Sequence, residues 1–249
     1  MEARRLRRGI YALAAGAALV GVVLAARQLA ARPRAQARAL KPLVLRAGPS
    51  TTLRVPHLPG GIVLDGDTDD PGWTSPPGPG RTGPFALANG AQARPYSDVR
   101  VVWGDGHLYL ALYAADEDIR SRATEHDAPL WLEDSFRLVF SDGEIQRAIE
   151  VSPRGIVTDA MRTSEGSFDY SWESGVHVSP ELDGTLDDSK DADEEWVIEM
   201  AIPFEALGMK GERGESVGFS VHRCDVPKGA TRVCAGWGEG QPPGVLVLD

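Results

Sequence analysis

Residues 127–140 read DAPLWLEDSFRLVF. Trp131 stands just ahead of a run in which Phe136, Leu138 and Phe140 alternate with Ser135, Arg137 and Val139. On a strand, the apolar set takes one face and Arg137 the other. An aromatic ring near a planar guanidinium suits a sugar. Pyranose rings present flat C–H patches that stack on aromatic faces, and their hydroxyls need fixed donors and acceptors. The same residues also fit a plain sheet edge, with Trp131 packed over it and Arg137 in a solvated cross-strand pair.

Other groups point to different chemistry. Asp65, Asp67 and Asp69 in DGDTDD have the spacing that opens a calcium loop. The sixth-position glycine and the distal bidentate glutamate are missing, which excludes an EF-hand. Asp116, Glu117 and Asp118 in AADEDI, or Asp127, are candidate ligands for a hard cation such as calcium; a solvated acidic surface is the competing explanation. Glu133 and Asp134 are neighbours, so in an extended chain they point to opposite faces and cannot form an acid/base pair. No GxSxG, HExxH or P-loop pattern occurs, the five histidines are scattered, and GWGEG lacks the context of a dinucleotide loop. A protein without catalytic activity of its own is expected. Cys224 and Cys234 flank DVPKGATRV, whose Pro227 and Gly229 signal a turn. A hairpin folded about Gly229 brings the thiols together, and a disulfide there adds ~3 kcal/mol in the chain-entropy model. Two unpaired buried thiols are the alternative.

The elements that must position these groups read as strands. DVRVVW, HLYLALYA, SFRLVF, RAIEV, GIVTDAM, EWVIEMAI, SVGFSV and RVCAGW recur with period-two alternation and Gly- or Pro-rich punctuation. GDG between the first two signals a tight hairpin, and only PFEAL hints at a helical turn. Short strands without intervening amphipathic helices predict an all-β, antiparallel, jelly-roll-like β-sandwich over residues 51–249. Trp73, Trp103, Trp196 and Trp237 sit at strand starts or in apolar alternation and read as core; Trp172 in FDYSWESG reads as a loop anchor or a second platform.

The formal charge of -10 hides an asymmetry. Residues 1–46 carry ten basic side chains and one acid, whereas residues 47–249 carry 16 basic and 35 acidic ones. So acidic a domain repels phosphate backbones and argues against nucleic acid as a partner. Arg4, Arg5, Arg7 and Arg8 precede an uncharged run from Gly9 to Ala26. Residues 1–26 therefore read as a signal anchor or signal peptide, and residues 27–50 as a basic stem. The expectation is a single-pass membrane protein with its domain outside the cytoplasm, periplasmic or extracellular, or a secreted one if the N-terminus is cleaved. The arginines after the run blur the positive-inside signal.

Five motifs in order, IVLDGDTDDPGW, VRVVWGDGHLYLALYAADEDI, LWLEDSFRLVF, WVIEMAIPFEAL and GFSVHRCD, resemble carbohydrate-binding module family 9 and its family-9-like relatives over about residues 60–249. The resemblance implies a β-sandwich of the kind appended to xylanases and other glycoside hydrolases, binding xylan- or glucan-type chains between two aromatic rings, with calcium in some members. It implies that Trp131 is one clamp aromatic. Arg137 falls where sugar-binding members have a glutamate, and Glu150 where they have an arginine, so the pair stands with its charges exchanged. His222 falls near an amide-bearing position, and Arg223 beside it would also bond hydroxyls. Past GWGEGQPPG the second clamp tryptophan has no counterpart, which leaves an open platform. Two further readings come with the same fold: a scaffold or protein-interaction domain without sugar binding, and a b-type haem domain with Met161 and His177 or His107 as axial ligands.

Overall fold

A computed structural model of the chain describes residues 52–163, 166–237 and 244–249. The run at 9–26, the stem and most of GWGEGQPPG lie outside the described residues. No helix among the described residues is long and apolar enough to cross a membrane.

Two sheets face each other. The seven-stranded sheet runs β1 (Thr52–Val55), β12 (Gly244–Leu248), β10 (Ser216–Asp225), β5 (Ser135–Ser141), β6 (Ile145–Val151) and β7 (Val157–Thr163), with β11 (Val233–Trp237) on the same edge of β10 as β12. The five-stranded sheet runs β2 (Gly80–Arg81), β3 (Ser97–Gly104), β4 (His107–Ala115), β9 (Glu195–Pro203) and β8 (His177–Asp183). Every pairing is antiparallel except β1 with β12. The β3–β4 hairpin turns at Asp105 and Gly106, with φ 46 and 80, the two positive values of a tight primed turn.

Alternation builds the core. Phe136, Leu138, Phe140, Ile149, Val151, Phe219 and Val221 point inward from the seven-stranded sheet. They meet Val99, Val101, Leu108, Leu110, Leu112, Trp196, Ile198 and Met200 from the other. Each fully buried large apolar side chain contributes about 1.5–3 kcal/mol. Trp196 is 0% exposed and packs edge-on against Phe136 at 5.0 Å. Trp73, Trp103 and Trp196 are buried, while Trp237 and Trp172 pack partly buried against the same core.

The outer faces differ. That of the five-stranded sheet is covered by the segment before β2. Trp73, Leu58, Ile62 and Leu64 lie over Val102, Tyr109, Ala111 and Ala201. Glu199 fastens this cover, accepting the indole N–H of Trp73 (2.6 Å) and the backbone N–H groups of Gly66 (2.7 Å) and Asp65 (3.0 Å). In DGDTDD, Asp65 accepts the Asp67 N–H and Asp67 the Asp69 N–H. These carboxylates therefore shape successive turns.

Candidate functional site

The outer face of the seven-stranded sheet carries the opposite character. Residues of the parity of Arg137 on β5 form a row across four strands: His222 on β10, Arg137, Glu150 on β6 and Thr158 on β7 are successive partners in register. The row thus sets an imidazole, a cation, an anion and a hydroxyl on adjacent strands, where opposite charges directly across a strand pair attract.

Each member is held by neighbours. The Ser135 hydroxyl donates to Glu150 Oε1 (2.8 Å), and Arg232 donates to Ser135 Oγ (3.0 Å) while lying 3.7 Å from the same carboxylate. Thr158 Oγ1 donates to the Ala128 carbonyl (2.6 Å), which ties the loop carrying Trp131 to β7. Arg162 donates two bonds to Gln146 Oε1 (3.0 and 2.7 Å). Phe168 lies over this edge, its centroid 4.6 Å from the Arg162 guanidinium and 5.6 Å from that of Arg137, both at cation–π range. Burial pulls the Arg137 and Arg232 guanidinium groups below their ordinary pKa, and the Glu150 carboxylate opposes this in each. Tyr170 is pushed up by burial, with Arg137 pulling it back. The result is planar donors, a carboxylate acceptor, hydroxyls and aromatic faces gathered on one sheet face, with Arg137 half-buried and Glu150, Thr158 and His222 each 6% exposed, a set whose chemistry suits a ligand with many hydroxyls and apolar C–H faces.

The structure brings together Arg137, Glu150 and His222. Trp131 is half-buried on the 3-10 turn Leu130–Leu132 that leads into β5. Arg223 is a correction. It has the parity of Phe219 and Val221, so it points into the sandwich, 4% exposed, and donates to Asp116 (2.7 Å) and Asp225 (3.1 Å). Asp116, Asp118 and Asp127, the candidate cation ligands, each have different neighbours. Asp116 gathers instead with Asp134 and Asp225, where Arg223 already supplies the positive charge. Asp118 is paired with Arg120 (2.6 Å), and Asp127 sits beside His126 on another loop. Glu133 accepts the N–H groups of Arg122 and Ala123, and Asp134 those of Arg120 and Val226, so both carboxylates staple loops. Burial, aided by Asp116, pushes Asp134 up to about 7. Asp225 is pushed up to about 6 by burial, against the pull of Arg223. Cys224 and Cys234 are directly opposite across the β10–β11 hairpin and are joined by a disulfide.

Sequence reasoning missed Ser135, Thr158, Arg162, Phe168, Tyr170 and Arg232. Ser135, Thr158 and Arg162 share the parity of the row and were readable from alternation. Phe168 and Tyr170 reach the face because the chain folds back after β7, where Met161 and Asp169 bridge; local spacing carries no sign of that.

Fold and face together describe a β-sandwich with one polar, aromatic-flanked sheet face. Solved structures share this architecture. A candidate carbohydrate-binding protein from Bacteroides uniformis aligns with a TM-score of 0.66 at 14% identity, covering 81% of this chain and 100% of that one. A family 9 carbohydrate-binding module from Caldicellulosiruptor kristjanssonii in complex with cellotriose aligns with a TM-score of 0.54 at 18% identity, covering 79% and 93%. A glucose complex of such a module from the same organism gives 0.50 and 17%, covering 79% and 95%. The chain has the fold of the family 9 modules. No protein-family model and no curated protein sequence matches it significantly.

Proposed function

We propose that the protein is a non-catalytic carbohydrate-binding module that takes xylan- or glucan-type oligo- or polysaccharide on the outer face of the seven-stranded sheet. The observation that carries this reading is the His222–Arg137–Glu150–Thr158 row, a line of polar side chains on the outer face of the seven-stranded sheet with Phe168 packed beside it, whereas the outer face of the other sheet is apolar and roofed over. Trp131 would stack on a pyranose ring, with Arg137, Glu150 and His222 bonding its hydroxyls. The fold neighbours solved with cellotriose and glucose support the ligand class. In this reading the N-terminal run holds the domain at the cell envelope. The module then serves polysaccharide breakdown by presenting substrate to a glycoside hydrolase partner. Calcium is tested as a further component.

The experiment is calorimetric titration of the purified protein with cello- and xylo-oligosaccharides, with and without calcium, beside Trp131→Ala and Arg137→Met. Saturable binding that each variant weakens at least about tenfold, a loss of about 1.4 kcal/mol, is expected. No heat from a folded protein with either series refutes the reading. That outcome favours a scaffold role on the same sandwich, for which the specific observation is that Phe168 already lies over Arg137 and Arg162.

A further inference from the structure

Away from the polar face, the sandwich has an edge where β7 ends one sheet and β8 ends the other. A cavity of about 300 Å³ lies there, lined by His126, Asp159, Glu173 and Ser174 and by Val178 of β8. Asp159 reaches it from β7 and is 2% exposed. Its Oδ2 accepts the backbone N–H of Ser174 (2.7 Å), while its Oδ1 is buried without any hydrogen-bond partner. A buried carboxylate oxygen left without a donor is destabilising, so its place beside a cavity points to a cationic occupant.

Two further groups converge on it. Ligand atoms of His126, Asp159 and Glu173 all lie within 4.8 Å of one another, and His126 Nε2 is 3.7 Å from Glu173 Oε2. On the other side of the ring, His126 Nδ1 faces Asp127 Oδ1 at 3.3 Å. Asp127 holds that position with φ 60, a left-handed conformation that Asp tolerates better than most residues. A carboxylate on one ring nitrogen fixes the tautomer that leaves the other nitrogen's lone pair available, which is the usual support of a metal-bound histidine. One imidazole, two carboxylates and a water suit a four-coordinate zinc ion, whereas calcium takes about six to eight oxygens.

We propose that His126, Asp159 and Glu173 bind a divalent ion of the zinc class, with Asp127 as the positioning residue that orients the imidazole. Asp159 is the fixed ligand. His126 and Glu173 are exposed on loops, with the rotamer freedom to close to bonds of about 2.0–2.2 Å. The three ligands come from the loop ahead of the 3-10 turn, from β7 and from the segment returning after β7. The ion therefore staples the sandwich edge and holds the segment that carries Phe168 and Tyr170. The buried set Asp116, Asp134 and Asp225 is different, because Arg223 already neutralises it. The inference stands apart from the sugar reading.

The test is calorimetric titration of chelator-stripped, full-length protein with zinc chloride. One equivalent binds, and His126→Ala and Glu173→Gln each weaken it at least about tenfold. Asp127→Asn, which keeps tolerance for the left-handed backbone, weakens zinc about tenfold through the lost orientation of the ring. His177→Ala, an exposed histidine on β8, leaves binding unchanged. Both ligand variants are surface changes, and circular dichroism verifies that they fold. Zinc affinity unmoved by His126→Ala, equal loss in His177→Ala, or calcium bound as tightly as zinc overturns the assignment.

Discussion

Arg223→Met removes the only cation bonded to Asp116 and Asp225 among the described residues while keeping most of the side chain's apolar stem. Breaking a buried pair by deleting one partner costs about 3–5 kcal/mol, because the remaining charge stays buried. Here Asp116, Asp134 and Asp225 are 3, 0 and 7% exposed, so water takes over little of the lost interaction. The cost depends on pH, with a definite sign. Asp134 and Asp225 titrate at about 7 and about 6 in the folded protein, above the ordinary carboxylate value of 3.8. Folding therefore takes up protons in the window between those values. Stability contributed by these groups is fully present below about pH 4 and is lost as pH rises through 6 to 7. For Asp225 alone the shift is worth about 3 kcal/mol. Asp142 and Glu215, where burial is outweighed by accepted backbone N–H bonds, act with the opposite sign, but only as pH falls below the ordinary range. Urea unfolding followed by tryptophan fluorescence at about pH 8 and about pH 5 reads both effects. Arg223→Met should lose about 4 kcal/mol at the higher pH and roughly half of that at the lower, which lies below the raised values of Asp134 and Asp225. Oligosaccharide affinity, measured on the folded fraction, should not change. A loss below about 1 kcal/mol at the higher pH, the range of an exposed ion pair, or equal losses at both, refutes this account of the cluster.

Other perturbations probe the supports of the two faces. Glu199→Gln turns one of its two acceptor oxygens into a donor facing Trp73 or the Asp65 and Gly66 N–H groups, and should cost about 1–3 kcal/mol in urea unfolding; an unchanged midpoint would mean the cover over the five-stranded sheet is fastened elsewhere. At Gly104 an added Cβ would collide with the Leu58 carbonyl oxygen, so Gly104→Ala should lower the melting temperature while Gly106→Asn, in the adjacent turn with open space around it, should be far milder. Reduction of Cys224–Cys234, which closes a separation of 10 residues, should cost ~3 kcal/mol by loop entropy, and a melt that ignores reductant counts against it. Arg162→Met should free Phe168 from one of its two guanidinium partners, raising hydrogen exchange after β7 and leaving β5 protected.

The eight alternating runs each became a strand, because period two is a property of the backbone and half-buried sheets enforce it. β8 escaped notice for the matching reason. HVSPELD lies at an edge and is mostly exposed; Val178 and Leu182 pack only partly buried against the core and Pro180 interrupts them, so the apolar alternation is too short to read as a strand. The same periodicity held information about the site that went unused. In GFSVHRCD, Phe219, Val221 and Arg223 share one parity and His222 takes the other. Alternation alone thus places His222 on the outer face and Arg223 within, whatever a family position suggests. What no local pattern contains is the closing of distant segments. Phe168 meets Arg137 and Arg162 by folding back from an edge strand, and Asp116, at the end of β4, meets Asp134 and Asp225 from the opposite sheet. For such groups only a budget of charge offers a clue: a strand pair as apolar as SFRLVF and GFSVHRCD that still spends an arginine on its inner face must bury a carboxylate opposite it. Asp225, two residues on from Arg223 and of the same parity, answers this requirement within the strand itself, whereas Asp116 answers it from the end of a strand in the other sheet, which local spacing cannot relate.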